Sequence, residues 1–215
     1  MKADILSVNT GRTVPFRGAD EPSAIAKRPV PGPLALGQLG LAGDEQADLT
    51  VHGGIDKALH HYPRDHYPHW RAFLGPHPLL EGEGALGENL STLGLTENQA
   101  CIGDRFRLGT ALVELSQGRQ PCWKLGHRFG DPRVTAEVVR TGYSGWYYRV
   151  IEPGTLAAGD TIELTQRVLP EWTVARTFAL LVGGGHRRDP AAVRALSQLE
   201  VLAGAWRSRA LKLLG

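Results

Sequence analysis

Short runs of strand-forming residues, each cut off by glycine or proline, constrain this chain most, with 27 glycines and 14 prolines among 215 residues. Interruption at that density disfavours a regular alternation of helices and strands and predicts a mainly β body of the α+β class. The candidate strands are Ala3 to Val8, Ser23 to Val30, Gln99 to Leu108, Ala111 to Ser116, Gly145 to Val150 and Thr161 to Leu164. A twisted sheet closed into a β-barrel suits strands this short.

Helices are expected at the periphery. One starts near Pro63 and runs through Trp70 to Leu74 before Gly75 and Pro76 stop it, with Pro68 straining or bending it; another spans Arg133 to Arg140 and ends at Thr141 and Gly142. After Leu169 and Pro170 the pattern changes. Thr173 to Val182 is helical, Asp189 and Pro190 form a cap and first turn, Leu196 and Leu199 share a face, and Ala205 to Leu214 closes the chain. The expected organisation is a barrel domain over 1–167 and a small C-terminal three-helix bundle over 168–215.

Cys101 and Cys122 form no Cys-x-x-Cys pair, which argues against a disulfide framework and a self-contained zinc or iron–sulfur site and favours a reducing cytoplasm. The N-terminus turns polar too soon for a signal peptide, and no apolar stretch reaches spanning length, so a soluble protein without a membrane partner is expected. The net charge of +2 divides unevenly: 168–215 carries seven Lys/Arg against three Asp/Glu, or +4, which leaves −2 on the rest. A barrel of that sign argues against nucleic-acid binding, and the basic tail reads as a solvated helical surface.

Cys122 is the candidate centre of chemistry. It follows the strand-like run Ala111 to Ser116 and the residues Gln117-Gly118-Arg119-Gln120-Pro121, where Gly118 and Pro121 should break the strand and leave the thiol in a loop at its end. Arg119 and Lys124 stand within a few residues, and fixed positive charge favours thiolate, the nucleophilic and metal-binding form. The alternative is a cysteine packed as a small hydrophobe. Cys101, in a strand-like run, is expected to be such a core residue.

Three further windows are chemically ambiguous. His52-Gly53-Gly54, with Lys57 beyond, is either an anion-approaching loop or a glycine turn with a surface lysine. His52, His60, His61, His66 and His69 cluster without a zinc-binding pattern, which favours buried hydrogen-bonded histidines over a metal site. Gly84 to Thr92 either recognises a polar heterocycle through Asn89 or is an ordinary turn with local side-chain bonds.

Taken together, the windows Pro22–Lys27, Gly43–Ala47, Val51–Gly54, His61–Tyr67, Gly87–Glu97, Pro121–Leu125 and Gly145–Ile151 resemble the MOSC domains, named for the C-terminal domain of molybdenum-cofactor sulfurases, and among them the YiiM-like proteins. The resemblance covers nearly the whole chain. Gly118 departs from it, since such proteins often carry proline there; glycine should loosen the loop.

The resemblance implies a β-barrel with peripheral helices and a molybdenum–pterin cofactor (Mo-molybdopterin), with Cys122 as the metal ligand. Lys27, His52, Gly53, Gly54, Lys57, Arg64, Asn89, Arg119 and Lys124 would line its pocket, the cations facing the pterin phosphate and Asn89 the ring edge. The implied reaction is reduction of a small-molecule N-hydroxylated substrate, R-NHOH to R-NH2, for example 6-hydroxylaminopurine, in detoxification, with His52 as a proton source. The chain has no dinucleotide fingerprint and no iron–sulfur cysteine set, so a separate flavin or iron–sulfur reductase would donate electrons, with the basic tail as a candidate docking surface for it, and a homodimer is left open. The alternatives are a cofactor or sulfur carrier without turnover, and a binding module in which Cys122 is structural.

Overall fold

In the computed structural model of the protein, residues 1–17, 21–48 and 53–215 are described. Seven strands form a closed barrel: β1 (Lys2–Thr10), β2 (Leu59–Pro63), β3 (Leu90–Thr92), β4 (Arg105–Leu108), β5 (Ala111–Gly118), β6 (Trp146–Glu152) and β7 (Thr161–Gln166). Their order is β7-β4-β5-β6-β2-β3-β1, and β1 returns to β7 through Lys2 opposite Glu163 and Ala3 opposite Ile162. Neighbours run antiparallel except β2 and β3, which are parallel with His61 opposite Leu90. Closure removes the edges, so a ring of strands this short satisfies its backbone without a second sheet.

The expected barrel is therefore present, with local differences that have physical causes. Ser23 to Val30 is no continuous strand: Pro22–Ser23 and Arg28–Pro29 pair as two-residue pieces, and between them Lys27 N donates to Ile25 O at 2.8 Å. That turn delivers the Lys27 side chain inward. Of Gln99 to Leu108 only Arg105 onward joins the barrel, because Asp104 accepts from Cys101 N at 2.8 Å and Gly103 adopts φ +80°, closing a turn. β5 continues through Gly118, opposite Trp146, instead of breaking before it.

Pro63 ends β2, and the helix expected from it begins one residue later as a 3-10 turn, Arg64–His66, that runs into α1 (Tyr67–Leu74). Pro68 sits in the first turn of α1, where its missing N–H is not needed, so it neither strains nor bends the helix. α2 (Trp123–Arg128) follows Cys122, and α3 (Arg133–Thr141) stops at Gly142, whose φ of +74° only glycine adopts readily. Among the described residues no helix is long and apolar enough to cross a membrane.

The tail forms α4 (Val174–Leu181), α5 (Pro190–Ser197) and α6 (Gly204–Lys212), with Thr173 and Asp189 capping the first two by accepting from Arg176 N and Ala192 N. It is seamed to the barrel: Val174 N donates to Ala100 O at 2.8 Å and Ala203 N to Ser116 O at 2.9 Å. Val174, Phe178 and Trp206 share one apolar core with Leu115, Trp146 and Tyr148. Burial of that size supplies most of the driving force for docking the tail.

Candidate functional site

β5 ends beside β6, and Arg119 N extends the ladder by donating to Gly145 O at 3.1 Å. Gly145 is glycine by necessity: its φ is +65°, and a Cβ there would lie 2.3 Å from His61 O. The chain then turns through Gln120 and Pro121 to Cys122, whose carbonyl accepts from Leu125 N at 3.1 Å and from Thr135 Oγ1 at 3.3 Å. The backbone bearing the thiol is thus held by α2 and α3, while the residue itself stays half-buried.

Cys122 borders a cavity of about 90 Å³ that also meets Lys27, Lys57, Asn89, Arg119 and Lys124. Six residues expected in one site from separated sequence windows therefore converge. Gly53 and Gly54 do not border it; Gly54 precedes a 3-10 turn, Ile55–Lys57, that carries Lys57 to the wall. Arg64 lies elsewhere, ion-paired with Glu83 and with its guanidinium 4.7 Å from the Tyr67 ring, so its charge is spent away from the cavity. His52 lies outside the described residues.

Asp44, His60 and Tyr147 also line the cavity, and sequence reasoning gave none of them a place in the site, naming His60 only within the histidine cluster. Asp44 accepts from Gly11 N at 2.8 Å and from Asn89 Nδ2 at 2.8 Å, and is ion-paired with the buried Lys27 ammonium. Asn89 also donates to Asn9 O and accepts from His60 N at 3.0 Å, which makes its amide chiefly a clamp between β1, β2 and the Asp44 loop, with one Oδ1 lone pair left over. Glu88, Ser91 and Thr92 are consumed in turn and core contacts with Tyr67, Gly84 and His61, as an ordinary turn requires.

The electrostatics are those of an anion site. Lys27, Lys57, Arg119 and Lys124 face Asp44 and Glu45. Burial pushes the Lys27 and Lys57 ammonium groups down, offset for Lys27 by Asp44 and for Lys57 by Asp56 and Asp48. Burial, and then the Arg119 charge, hold His60 well below the ordinary imidazole range, so the ring is neutral. With Nδ1 3.3 Å from Gly87 O, that nitrogen carries the proton and Nε2 is left as an acceptor without a partner among the described residues. Tyr147, its ring 5.0 Å from that of His60, is pushed up by burial against the opposing pull of Arg119.

Arg119 carries the strongest demand. It is 6% exposed, and its Nη1 is buried without a hydrogen-bond partner among the described residues. A desolvated guanidinium donor left unmade is costly, and an anionic group in the cavity would satisfy it. His61 and His66 are structural: His61 bonds Tyr148 and Thr92 and is pushed down to about 3 by burial, and His66 pairs with Glu97 at 2.6 Å. Among the described residues no group of three metal-binding side chains occurs. The thiol of Cys122 beside an anion-accepting wall fits a metal held by its own organic ligand rather than by a protein cage.

Sequence and structure comparisons fall on this same region. The MOSC domain matches residues 48–163. The uncharacterized protein YflK of Bacillus subtilis is 40% identical over 210 residues, spanning 97% of this chain and 93% of that protein. A protein named reductase from Gibberella moniliformis is 43% identical over 172 residues, 79% of this chain but 30% of the relative. The crystal structure of YiiM from Geobacillus stearothermophilus superposes with a TM-score of 0.83 at 32% identity, covering 99% of this chain and 100% of that one. With its barrel, its cysteine loop and most of its length so matched, the chain belongs to the MOSC domain family, among its YiiM-like members.

Proposed function

We propose that this chain is a molybdenum-cofactor-dependent oxidoreductase that reduces N-hydroxylated compounds, R-NHOH plus two electrons and two protons giving R-NH2 and water, with 6-hydroxylaminopurine as an example and detoxification as the purpose. A separate flavin or iron–sulfur reductase supplies the electrons, and the setting is the cytoplasm. The observation that carries the reading is the convergence of a half-buried thiol with a buried, unpartnered arginine donor at one cavity. The name of the Gibberella relative supports reductive chemistry, although this chain spans 30% of that protein.

The residues divide the work by charge and reach. Cys122 presents a soft thiolate to the metal, and Arg119 Nη1, with Lys27, Lys57 and Lys124 around it, holds the cofactor's phosphate. When bound, the cofactor supplies a redox metal able to accept an oxygen atom in a two-electron step. Neutral His60 offers Nε2 to an N–H of the pterin, and Asn89 keeps the His60 backbone in place through its 3.0 Å bond. Tyr147, pushed up, keeps its phenolic proton at neutral pH and stands within the cavity wall, while His52 remains the proposed proton source.

The test is molybdenum and pterin content per chain after expression in a host that makes the cofactor. Near-stoichiometric metal in wild type and in Cys101→Ser, lost in Cys122→Ser, is expected. Metal retained in Cys122→Ser would sink the ligand assignment, and bound cofactor without turnover of any hydroxylamine would favour the carrier reading.

A further inference from the structure

Cys122 borders a second cavity, of about 470 Å³, on the side away from Lys27 and Asn89. One wall is the end of β5 and its loop, the other is α6, and Lys57, Gln120, Cys122 and Tyr147 belong to both cavities. The thiol therefore stands on a partition. Gln117 borders only the second cavity.

Gln117 is 2% exposed, and its side chain is oriented by its own neighbour, Nε2 donating to Gly118 O at 3.2 Å. The opposite orientation would set two oxygens against each other, so Oε1 is the outward atom. It is buried and has no hydrogen-bond partner among the described residues. An acceptor desolvated in this way calls for an N–H or O–H donor. The facing wall is fixed: Trp206 of α6 packs so closely on Gly118 that a Cβ there would lie 2.8 Å from its ring. Arg209, on the facing wall, gives its Nε to Leu181 O at 2.6 Å and its Nη1 to Gln120 Oε1 at 3.5 Å, and among the described residues no donor reaches Gln117 Oε1.

We propose that this second cavity is the substrate side of the partition, and that Gln117 Oε1 selects planar molecules bearing a donating N–H on the reacting nitrogen. The inference rests on the proposed function for its chemistry: the hydroxylamine and the amine it becomes both keep an N–H, so one acceptor serves substrate and product. Gln117 is a specificity residue, and α6 is the wall that gives its acceptor an enclosed cavity to face.

The test is binding by calorimetry of 9-methyladenine, whose only donors are its amino N–H groups, against 9-methylpurine, which lacks them. Wild type should prefer the amine by about tenfold, the worth of one buried hydrogen bond. Gln117→Met should bind both equally with the preference gone, and Gln117→Glu, which keeps acceptor oxygens, should retain it. Equal binding by wild type, binding of neither, or a preference that survives in Gln117→Met overturns the proposal. Cys122→Ser should keep the preference even where molybdenum is lost, which separates this inference from the cofactor reading.

Discussion

The two cysteines make the most instructive comparison in the molecule. Both sit beside the same run of barrel strands, Cys101 just before β4 and Cys122 just after β5. Cys101 is 1% exposed, with Sγ 3.5 Å from Pro170 O beneath the tail, and burial, reinforced by Asp104, pushes its thiol up to about 11. Cys122 is half-buried at a partition between two cavities, among lysines and an arginine. The same side chain is inert in one place and exposed to chemistry in the other because of which strand end bears it, with Asp104 beside the buried thiol and Arg119 and Lys124 beside the half-buried one.

Alkylation should give the largest separation. At pH 8 a thiol with a pKa of about 11 is thiolate in roughly one molecule in a thousand, and it is sheltered besides. Native protein treated with iodoacetamide should label Cys122 at least ~100-fold faster than Cys101, with the two rates converging in denaturant. Peptide mapping over time reads the ratio. Comparable native rates would erase the distinction.

A middle-sized effect concerns what restrains the Cys122 loop. Glycine at 118 makes room for Trp206 while remaining opposite Trp146. Gly118→Ala should therefore cost about 1–3 kcal/mol by overpacking, and most of that cost should vanish in a Trp206→Leu background. Denaturant unfolding of the four proteins closes the cycle. Additive costs would show that Trp206 does not set the fit.

These contrasts also mark what was legible in the sequence. β1, β5, β6 and β7 follow runs flanked by turn residues, and the caps at Thr173 and Asp189 have local signatures, so they read directly. β2 did not, because all five of its residues are buried and no alternation survives; two of them are histidines, expected to be buried and hydrogen-bonded rather than metal ligands, and Tyr148, Thr92 and Gly87 are their partners. The cations and Cys122 were found through motif windows, but Gln117 and Asp44 were not. Their significance is relational: one is an acceptor left unmade by distant elements, the other a carboxylate claimed by three residues 17 to 45 positions away.

The smallest predicted effect isolates the buried thiol thermodynamically. Cys101 titrates near 9.0 when unperturbed and at about 11 in the folded protein, so between those values the unfolded chain has released its proton and the folded chain has not. Fewer protons bound by the unfolded state means that stability falls as pH rises through this window, while below it the thiol is protonated in both states and contributes no slope. Two pH units at 1.36 kcal/mol each set the ceiling, and partial solvation at the tail seam reduces it to about 1 kcal/mol. Tyr62, Tyr67 and Tyr148 are also pushed up by burial and add their own decline, so the measurement is a difference. Urea unfolding of wild type and Cys101→Ala from pH 8.5 to 11 should give two curves that converge toward high pH by that amount. Parallel curves for Cys101→Ala would mean that the thiol near Pro170 is better hydrated than its burial implies, and the contrast between the two cysteines would then rest on access alone.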